Sequence, residues 1–269
     1  MIRKGAAVRD EAPALELRGV GKWFGKGDGR TVALRGVDLD MRAGEFLSIV
    51  GPSGCGKSTL LRIVADLIEP SEGSVRVKGR TARQARENRD LGVVFQTPVL
   101  YEWRSVSRNV QLPLEVMGFD AAERRRRVRQ MLELVGLQGF SKHAVWQLSG
   151  GMQQRVSIAR ALSFDPSLLL MDEPFGALDE ITRDRMNMEL QRIWMETDTS
   201  VLFITHSIAE AVFLSDRVLV MSSRPGSIDY RCDIPLPRPR TEATREQDDF
   251  FHLTGEIRGH LRSPDGVRV

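Results

Sequence analysis

The chain has 269 residues, of which 41% are hydrophobic and 28% are charged, as is ordinary for a globular protein that buries one large core or two modest ones. Its formal net charge of +3 is too small to argue for a nucleic-acid partner. Residues 1–14 lack the apolar core of a signal peptide, and no segment approaches the roughly 20 apolar residues of a membrane span, so any membrane role is expected to be peripheral.

The first hundred residues have the patterns of strands around one helix. Residues 1–13 are expected to form a disordered lead. Alternating apolar and polar residues predict two strands, and a continuous apolar run predicts a third, buried strand. The expected elements are strands at 15–24, 32–41 and 45–50, a helix at 57–67, a break at 70–73 and short strands at 74–78 and 91–95.

From residue 97 the pattern changes to helices, and then to alternating strands and helices. Asp120 is expected to cap the second helix. The expected elements are helices at 106–117, 121–135 and 150–163, strand 168–171, helix 180–197, strand 201–205, helix 208–214 and strand 218–221. A helical insert within an α/β sheet domain is the simplest layout. A Pro/Arg-rich stretch at 235–240 then leads into a helix at 241–262 that is expected to be exposed.

A strand–loop–helix unit carries the most informative motif, G-x-x-x-x-G-K-[ST], which we call the phosphate loop. Its residues are Gly51, Pro52, Ser53, Gly54, Cys55, Gly56, Lys57, Ser58 and Thr59. The glycines let backbone N–H groups turn inward, and the positive end of the following helix favours phosphate. Lys57 would reach the β- and γ-phosphates, and the Ser58 hydroxyl would ligate Mg²⁺. A chance match in a Gly-rich turn is the alternative, which the flanking strand and helix disfavour.

The two cysteines indicate whether the protein is expected in a reducing or an oxidising compartment. Cys55 lies inside the phosphate loop, where a disulfide would be obstructive, and Cys232 is far away in the sequence. A reducing, intracellular compartment is therefore expected.

Polar residues also follow other expected strands. Asp172 and Glu173 end an apolar strand, where Asp172 can hold Mg²⁺ and Glu173 can polarise a water as a general base. Gln96 and His206 end two further strands. Because ligands gather at the carboxyl ends of parallel strands, these residues and Gly51 are expected on one edge of the sheet. The alternatives are a solvated acidic turn and a purely structural histidine.

At residues 148–155 the sequence Leu-Ser-Gly-Gly-Met-Gln-Gln-Arg resembles the ATP-binding subunits of ABC transporters. The resemblance extends from Leu15 to about Gly226 and rests on five motifs in the family's order. They are the phosphate loop, Gln96, the signature Leu148-Ser149-Gly150-Gly151, the pair Asp172-Glu173 followed by Gly176-Ala177-Leu178-Asp179, and His206.

The resemblance implies a fold and a domain layout. The fold is α/β, a RecA-like P-loop NTPase core with an N-terminal antiparallel β subdomain and an inserted α-helical subdomain at about 97–164. The ATP-binding domain would span 14–240, and 241–269 would form a helical C-terminal tail. The implied cofactors are ATP and Mg²⁺.

The resemblance also implies that two copies pack head-to-tail around ATP. Ser149, Gly150 and Gly151 would contact the γ-phosphate of the ATP held by the other copy, and Asp179 would line the dimer seam. The helix that opens at Ser149 is itself an anion-binding end. A simple helix cap is the alternative, and both roles can hold together.

Other site roles follow from the same resemblance. His206 would hold the γ-phosphate and the attacking water, while Gln96 would sense Mg²⁺ and water as a metal-site residue. Phe24 would stack on the adenine, with Trp23 as a competing candidate. Core packing is the alternative reading for either aromatic residue.

A closer resemblance is to the nitrate/sulfonate/taurine importer group. It is carried by the segments 94–100, 103–106, 109–114, 146–149 and 221–226. Importers of pyrimidines or thiamine precursors share much of this pattern, so the solute stays open. The implied partners are integral membrane permease subunits, one of which would insert a short coupling helix near residues 96–103, and indirectly a solute-binding protein. The implied location is peripheral, on the cytoplasmic face of the inner membrane, and no nucleic acid is expected.

The chain departs from the family's pattern at three positions. Met152 stands where Gln is common, so a polar contact to nucleotide there is in doubt. Glu102 replaces a frequent proline before Trp103, which leaves the shape of the membrane-facing loop open. Ser207 follows the histidine where Asp is frequent, with little expected consequence.

The sequence disfavours several functions other than transport. The run Arg124–Arg127 is interpreted as a solvated helix face, with contact to anionic lipid as the alternative. A soluble ABC ATPase of DNA repair would need a long coiled coil between the motifs, and a translation-associated factor would carry two nucleotide domains. A catalytically dead subunit is disfavoured because Lys57, Glu173 and His206 are all in place.

Overall fold

The computed structural model describes residues 12–26 and 29–262. The expected disordered lead therefore lies almost wholly outside the described residues. Within the described ranges the chain forms two β-sheets with flanking helices. No helix in those ranges is long and apolar enough to cross a bilayer.

The first sheet is antiparallel and has the strand order β2-β1-β4-β5. Its strands are β1 (Leu15–Phe24), β2 (Thr31–Met41), β4 (Glu72–Val77) and β5 (Arg80–Thr81). Its apolar face packs with α1 (Lys57–Val64) in one core cluster. The sequence did not predict β5 or α2 (Ala82–Glu87), because both are short and largely exposed.

The second sheet has the order β10-β9-β3-β8-β7-β6 and is parallel except for the edge strand β10. Its strands are β3 (Phe46–Val50), β6 (Leu91–Val94), β7 (Leu168–Asp172), β8 (Ser200–Ile204), β9 (Arg217–Met221) and β10 (Ile228–Asp233). Helices α6 (Glu180–Met195) and α7 (Ile208–Leu214) connect β7 to β8 and β8 to β9.

The central strand β3 is buried on both faces, which explains why its sequence does not alternate in polarity. Phe46 and Val50 join one core cluster, whereas Leu47 and Ile49 join the other. Both faces of the sheet are therefore covered, as is usual for parallel strands, and every strand residue is apolar except the buried Ser48.

Three helices lie between β6 and β7: α3 (Val106–Val116), α4 (Ala121–Leu134) and α5 (Gly150–Leu162). They pack on one another through buried apolar residues that include Val110, Leu132 and Ile158. The Asp120 side chain accepts hydrogen bonds from the N–H groups of Ala122 and Glu123 at 2.8 and 2.9 Å, so the expected cap on α4 is confirmed.

Two arginines near the start of α4 form ion pairs with neighbouring carboxylates. Glu123 pairs with Arg126 and Arg127, at 2.5 and 2.7 Å. Arg127 also reaches Asp165 at 2.5 Å. These ion pairs lower the pKa of Glu123 to about 2. This part of the run therefore stabilises the helix surface through local pairs.

The C-terminal region differs from expectation. The expected exposed helix is two helices, α8 (Glu242–Arg245) and α9 (Asp248–Arg262), and α9 buries Phe250 and Ile257 in the main core. The prediction of exposure was wrong because the apolar residues are spaced seven apart on one helix face. The Pro/Arg-rich stretch ends in Arg240, which is 2% exposed and donates to three carbonyls near the end of α7.

Candidate functional site

Four adjacent parallel strands end at the same edge of the second sheet. Gly51 follows β3, His206 follows β8, Glu173 follows β7 and Gln96 follows β6. The neighbouring order of these strands brings residues from distant parts of the sequence to one edge. The site is built on this edge.

The phosphate loop is shaped by glycines that no other residue could replace without strain. Gly54 and Gly56 have φ angles of 75° and 113°. A Cβ on Gly56 would lie 2.7 Å from Leu34 Cδ2 and 3.0 Å from the Ala33 carbonyl oxygen. The loop is thus pressed against β2 and leads directly into α1, whose N-terminal end favours an anion.

Lys57 lies inside this loop and is 5% exposed. Its Nζ donates to the carbonyl oxygens of Gly51 and Pro52, at 2.8 and 3.1 Å. Cys55 is also buried, and neither Cys55 nor Cys232 forms a disulfide. The ammonium group is therefore held at the loop by backbone carbonyls, where a bound phosphate would be adjacent to it.

Ser58 and Asp172 join the phosphate loop to β7. The Ser58 hydroxyl donates to Asp172 Oδ1 at 2.9 Å. Burial raises the pKa of Asp172, and the hydrogen bond from Ser58 acts against that rise. A hydroxyl and a carboxylate at this separation, beside a phosphate-binding loop, are the hard oxygen donors that suit Mg²⁺. These residues fit the metal that the sequence predicted here.

Glu173 and His206 form the second pair at this edge. His206 Nδ1 lies 3.3 Å from Glu173 Oε2. Glu173 has a φ of 46°, which is uncommon for a residue with a side chain, and its N–H donates to the Ile204 carbonyl at 2.9 Å. Such backbone conformations persist where the surroundings enforce them, often at functional sites. Here the strained turn places a carboxylate in contact with an imidazole.

Gln96 approaches the same turn from β6. A Cβ on Gly176 would lie 3.2 Å from Gln96 Nε2 and 3.4 Å from the Glu173 carbonyl oxygen. The amide of Gln96 therefore reaches the loop that carries Glu173.

A cavity of about 250 Å³ opens beside the phosphate loop. Its lining comprises Phe24, Thr31, Ala33, Ser53, Gly54, Gly56, Lys57, Ser58, Thr59, Glu173 and Arg224. Phe24 is 47% exposed, whereas the Trp23 ring is covered by the Arg30 guanidinium at 3.5 Å. Of the two aromatic candidates, the structure places only Phe24 in this cavity.

Arg224 is a cavity residue that the sequence did not indicate as functional. Its Nη2 donates to the Gly54 carbonyl at 3.2 Å. It lies in a loop after β9 with no phosphate-binding motif of its own. Only the strand order, which places β9 beside β3, brings it to the cavity.

The signature lies away from this cavity. Ser149 caps α5, its Oγ accepting from the Met152 N–H at 3.4 Å. Gly150 is exposed, whereas Gly151 is buried, and a Cβ there would lie 3.2 Å from Thr182 Cγ2. None of Ser149, Gly150 and Gly151 lines the cavity of its own chain.

Asp179 is an exposed residue at the start of α6. Its Oδ1 accepts from the Thr182 N–H at 3.0 Å, and this bonding lowers the pKa of Asp179. The side chain thus caps α6 and anchors the loop at 175–179 next to the signature.

The model of the family described as "ABC transporter" matches residues 34–176, which is more than half of the chain. The chain belongs to the ABC transporter family. The resemblance found from the motifs is therefore confirmed.

Similar proteins extend over nearly the whole chain. The taurine import ATP-binding protein TauB of Jannaschia sp. is 40% identical over 252 residues, which cover 92% of this chain and 93% of that protein. The nitrate import ATP-binding protein NrtD of Synechocystis sp. is 42% identical over 254 residues, covering 92% and 95%.

A solved ATP-binding cassette, dimeric in a post-hydrolysis state with bound ADP and Pi, is similar to this chain. It has 34% sequence identity and a TM-score of 0.71, and the match covers 83% of this chain and 100% of that one. The expected fold class, a P-loop NTPase core with an antiparallel β subdomain and a helical insert, is confirmed.

Proposed function

We propose that this chain is the ATP-hydrolysing subunit of an ABC importer and that it works as a head-to-tail homodimer around ATP and Mg²⁺. The observation that carries the proposal is the convergence at one sheet edge of the phosphate loop, the Ser58–Asp172 pair and the Glu173–His206 pair. The similarity to importer subunits over most of the chain supports it.

The roles of the residues follow from their positions. The phosphate loop and Lys57 bind the β- and γ-phosphates. Glu173 takes a proton from a water that attacks the γ-phosphorus, the bond from that phosphorus to the bridging oxygen breaks, and ADP and phosphate form. His206, in contact with Glu173, orients the water and the γ-phosphate. Ser58, Asp172 and Gln96 would hold Mg²⁺, which would supply positive charge against the phosphate oxygens.

The base and the partner face complete the binding of ATP. Phe24 is accessible in the cavity and stacks on the adenine. Ser149, Gly150 and Gly151 of one copy bind the γ-phosphate held by the other copy, and Asp179 lies at the seam. The position of the signature outside its own chain's cavity supports this arrangement, as does the dimeric state of the similar cassette.

An apolar groove of about 420 Å³ fits the expected site of a membrane partner. It lies between β6, the segment after it, α3 and α5, and its lining includes Phe95, Val99, Tyr101, Pro113, Val116 and Phe164. Trp103, beside it, is 78% exposed. Exposed apolar surface of this kind marks an interaction site. A short helix of an integral permease subunit would dock here, and the chain would then lie peripherally on the cytoplasmic face of the inner membrane.

The transported solute is of the nitrate, sulfonate or taurine type, and a pyrimidine or thiamine precursor is the alternative. A solute-binding protein would act through the permease, and no nucleic acid takes part. The domain assignment at 14–240, with the helical subdomain at 97–164 and the tail at 241–269, is part of this proposal.

Two experiments test the transport role. Affinity purification of the tagged chain from solubilised membranes is expected to recover an integral membrane protein, and a Trp103→Ser/Val116→Ser variant is expected to lose it while keeping ATP binding. Growth of a deletion strain on single sulfur or nitrogen sources then identifies the solute class. Recovery of only soluble or nucleic-acid partners would contradict the importer function and favour a non-transport ABC ATPase.

A further inference from the structure

A buried carboxylate lies one helical turn after His206, outside the motifs that define the nucleotide site. Glu210, on α7, is 5% exposed. Its Oε2 accepts a hydrogen bond from the Thr205 hydroxyl at 2.5 Å, and the Thr205 oxygen accepts one from the Ser207 N–H at 3.0 Å. The residues on both sides of His206 are therefore tied to Glu210.

The other oxygen of this carboxylate faces Arg183 on α6. Glu210 Oε1 and Arg183 Nε lie 3.9 Å apart, and both atoms are buried without a hydrogen bond among the described residues. Arg183 Nη2 donates to the Leu178 carbonyl at 2.7 Å. Leu178 directly precedes Asp179. A continuous series of contacts thus runs from the loop at 175–179 to the residues that flank His206.

Burial of the Glu210 carboxylate lowers the stability of the fold. Burial raises the pKa of Glu210, and the hydrogen bond from Thr205 and the positive charge of Arg183 act against that rise. Arg245 of α8 adds further positive charge and pairs with Asp184 at 2.9 Å. Buried charges are paired or hydrogen-bonded, and in some proteins they are retained because a specific arrangement depends on them.

We propose that Glu210 is a positioning residue that fixes the segment 205–207 so that His206 faces Glu173, and that Arg183 links this segment to the loop at 175–179. The inference rests on the proposed function, because the reaction that it serves is ATP hydrolysis at that site. The His206 side chain is 54% exposed, so its orientation depends on the backbone to either side of it more than on burial.

Removing the Glu210 carboxylate is expected to lower the rate of ATP hydrolysis without weakening ATP binding. The phosphate loop and Lys57 do not contact Glu210, so ATP affinity is expected to stay unchanged. A misplaced catalytic group can cost about 10²-fold in rate for a shift of about 1 Å. Releasing the 205–207 segment is therefore expected to lower kcat by roughly 10- to 100-fold.

The test compares two disruptive variants with their conservative counterparts. Glu210→Ala and Thr205→Val each remove the hydrogen bond, whereas Glu210→Gln keeps an acceptor and Thr205→Ser keeps the hydroxyl. Phosphate release at varied ATP is expected to show the loss in kcat only for the first pair, with KM within about threefold of wild type. If Glu210→Ala does not fold, Thr205→Val and Thr205→Ser still decide the result.

Glu45 offers a matched control. It is 3% exposed and pairs with Arg217 Nε at 3.0 Å, but it lies at the opposite end of β3 from the phosphate loop. Glu45→Ala is expected to lower Tm as Glu210→Ala does, while leaving kcat near the wild-type value.

A double-mutant comparison separates positioning from general destabilisation. In a His206→Ala background, Glu210→Ala is expected to cause no further loss of kcat, and Arg183→Gln combined with Glu210→Ala is expected to be non-additive. A wild-type kcat in both disruptive variants would overturn the inference but not the proposed function. So would a loss of kcat from Glu210→Ala that is as large in the His206→Ala background as in the wild type. No hydrolysis by the wild-type chain with its membrane partner would overturn the proposed function as well.

Discussion

The two proposed phosphate-binding faces of this chain, the sheet edge and the signature, differ in how much of a site each contains. At the sheet edge the functional side chains already contact one another, Ser58 with Asp172 at 2.9 Å and Glu173 with His206 at 3.3 Å. At the signature, Ser149 and Gly150 are exposed and offer mainly the N-terminal end of a helix. The first face has the groups for chemistry, whereas the second has an anion-binding end, which under the proposed function binds a phosphate that another copy carries.

Replacing the proposed base tests the first face and has the largest expected effect. Glu173→Gln keeps the shape of the side chain but removes the carboxylate that accepts the proton. Hydrolysis is expected to fall by about 10²–10⁴-fold with ATP affinity retained, as measured by phosphate release and by equilibrium nucleotide binding. Full turnover by this variant would remove Glu173 from the role of base.

Mixing two inactive variants tests whether the second face acts on the other copy. Lys57→Ala weakens the phosphate loop, and Ser149→Arg blocks the signature, so each variant alone is expected to lose about tenfold or more in rate. In an equal mixture about half of the dimers are mixed, and each mixed dimer has one of its two sites intact. The mixture is therefore expected to recover roughly a quarter of the wild-type rate. Failure to recover any activity, with mixed dimers shown to form, would mean that each signature serves its own chain.

Replacing the aromatic residues tests how the first face holds the base. Phe24→Ala is expected to weaken ATP binding by roughly tenfold, because stacking on a base contributes about 1–3 kcal/mol. Trp23→Ala is the matched control, since Trp23 packs under Arg30. Titration with ATP and with inorganic triphosphate separates base stacking from phosphate binding. Equal losses for both nucleotide and triphosphate would rule out stacking by Phe24.

The smallest expected effect is on stability. Because burial raises the pKa of Asp172, the folded state holds this proton more tightly than the unfolded state does. Stability is therefore lost as pH rises from the unfolded pKa of about 3.9 through the raised folded value. Asp172→Asn is expected to raise Tm by a few degrees at neutral pH in the absence of nucleotide and metal, with a smaller gain near pH 4, although it removes a proposed metal ligand.

Asp179→Asn serves as the control of opposite sign. The pKa of Asp179 is lowered by its hydrogen bonds with Thr182, so its stabilising contribution is present above the unfolded pKa and is lost as pH falls. This variant is expected to lower Tm at neutral pH. A Tm of Asp172→Asn below that of the wild type, measured by calorimetry, would contradict the conclusion that burial of the Asp172 carboxylate lowers stability.

The sequence predicted the sheet edge well because its signals are local. The glycines and the lysine of the phosphate loop form one short motif, and each polar residue at a strand end directly follows an apolar run. Each of these signals can be recognised within a short stretch of sequence. The choice between Trp23 and Phe24 was not predictable, since it depends on where Arg30 lies. Arg224 was not identified because only strand order brings it to the cavity.

The C-terminal region was predicted less well for a related reason. β10 is an edge strand whose residues alternate between covered and exposed positions, so the strand signal was present in the sequence but was missed. Burial of Arg240 depends on carbonyls of α7 that lie more than twenty residues away in sequence. Glu210 was overlooked because a buried glutamate has no local motif, and its partners Thr205 and Arg183 come from two different elements.

The most direct measurement is the mass of the Glu173→Gln variant in solution by light scattering, with and without ATP and Mg²⁺. This variant is expected to be a monomer without nucleotide and a dimer with it, and to return to monomer when Ser149→Arg is added. A chain that binds ATP yet stays monomeric at saturation, even with its membrane partner present, would contradict the claim that two copies share each nucleotide.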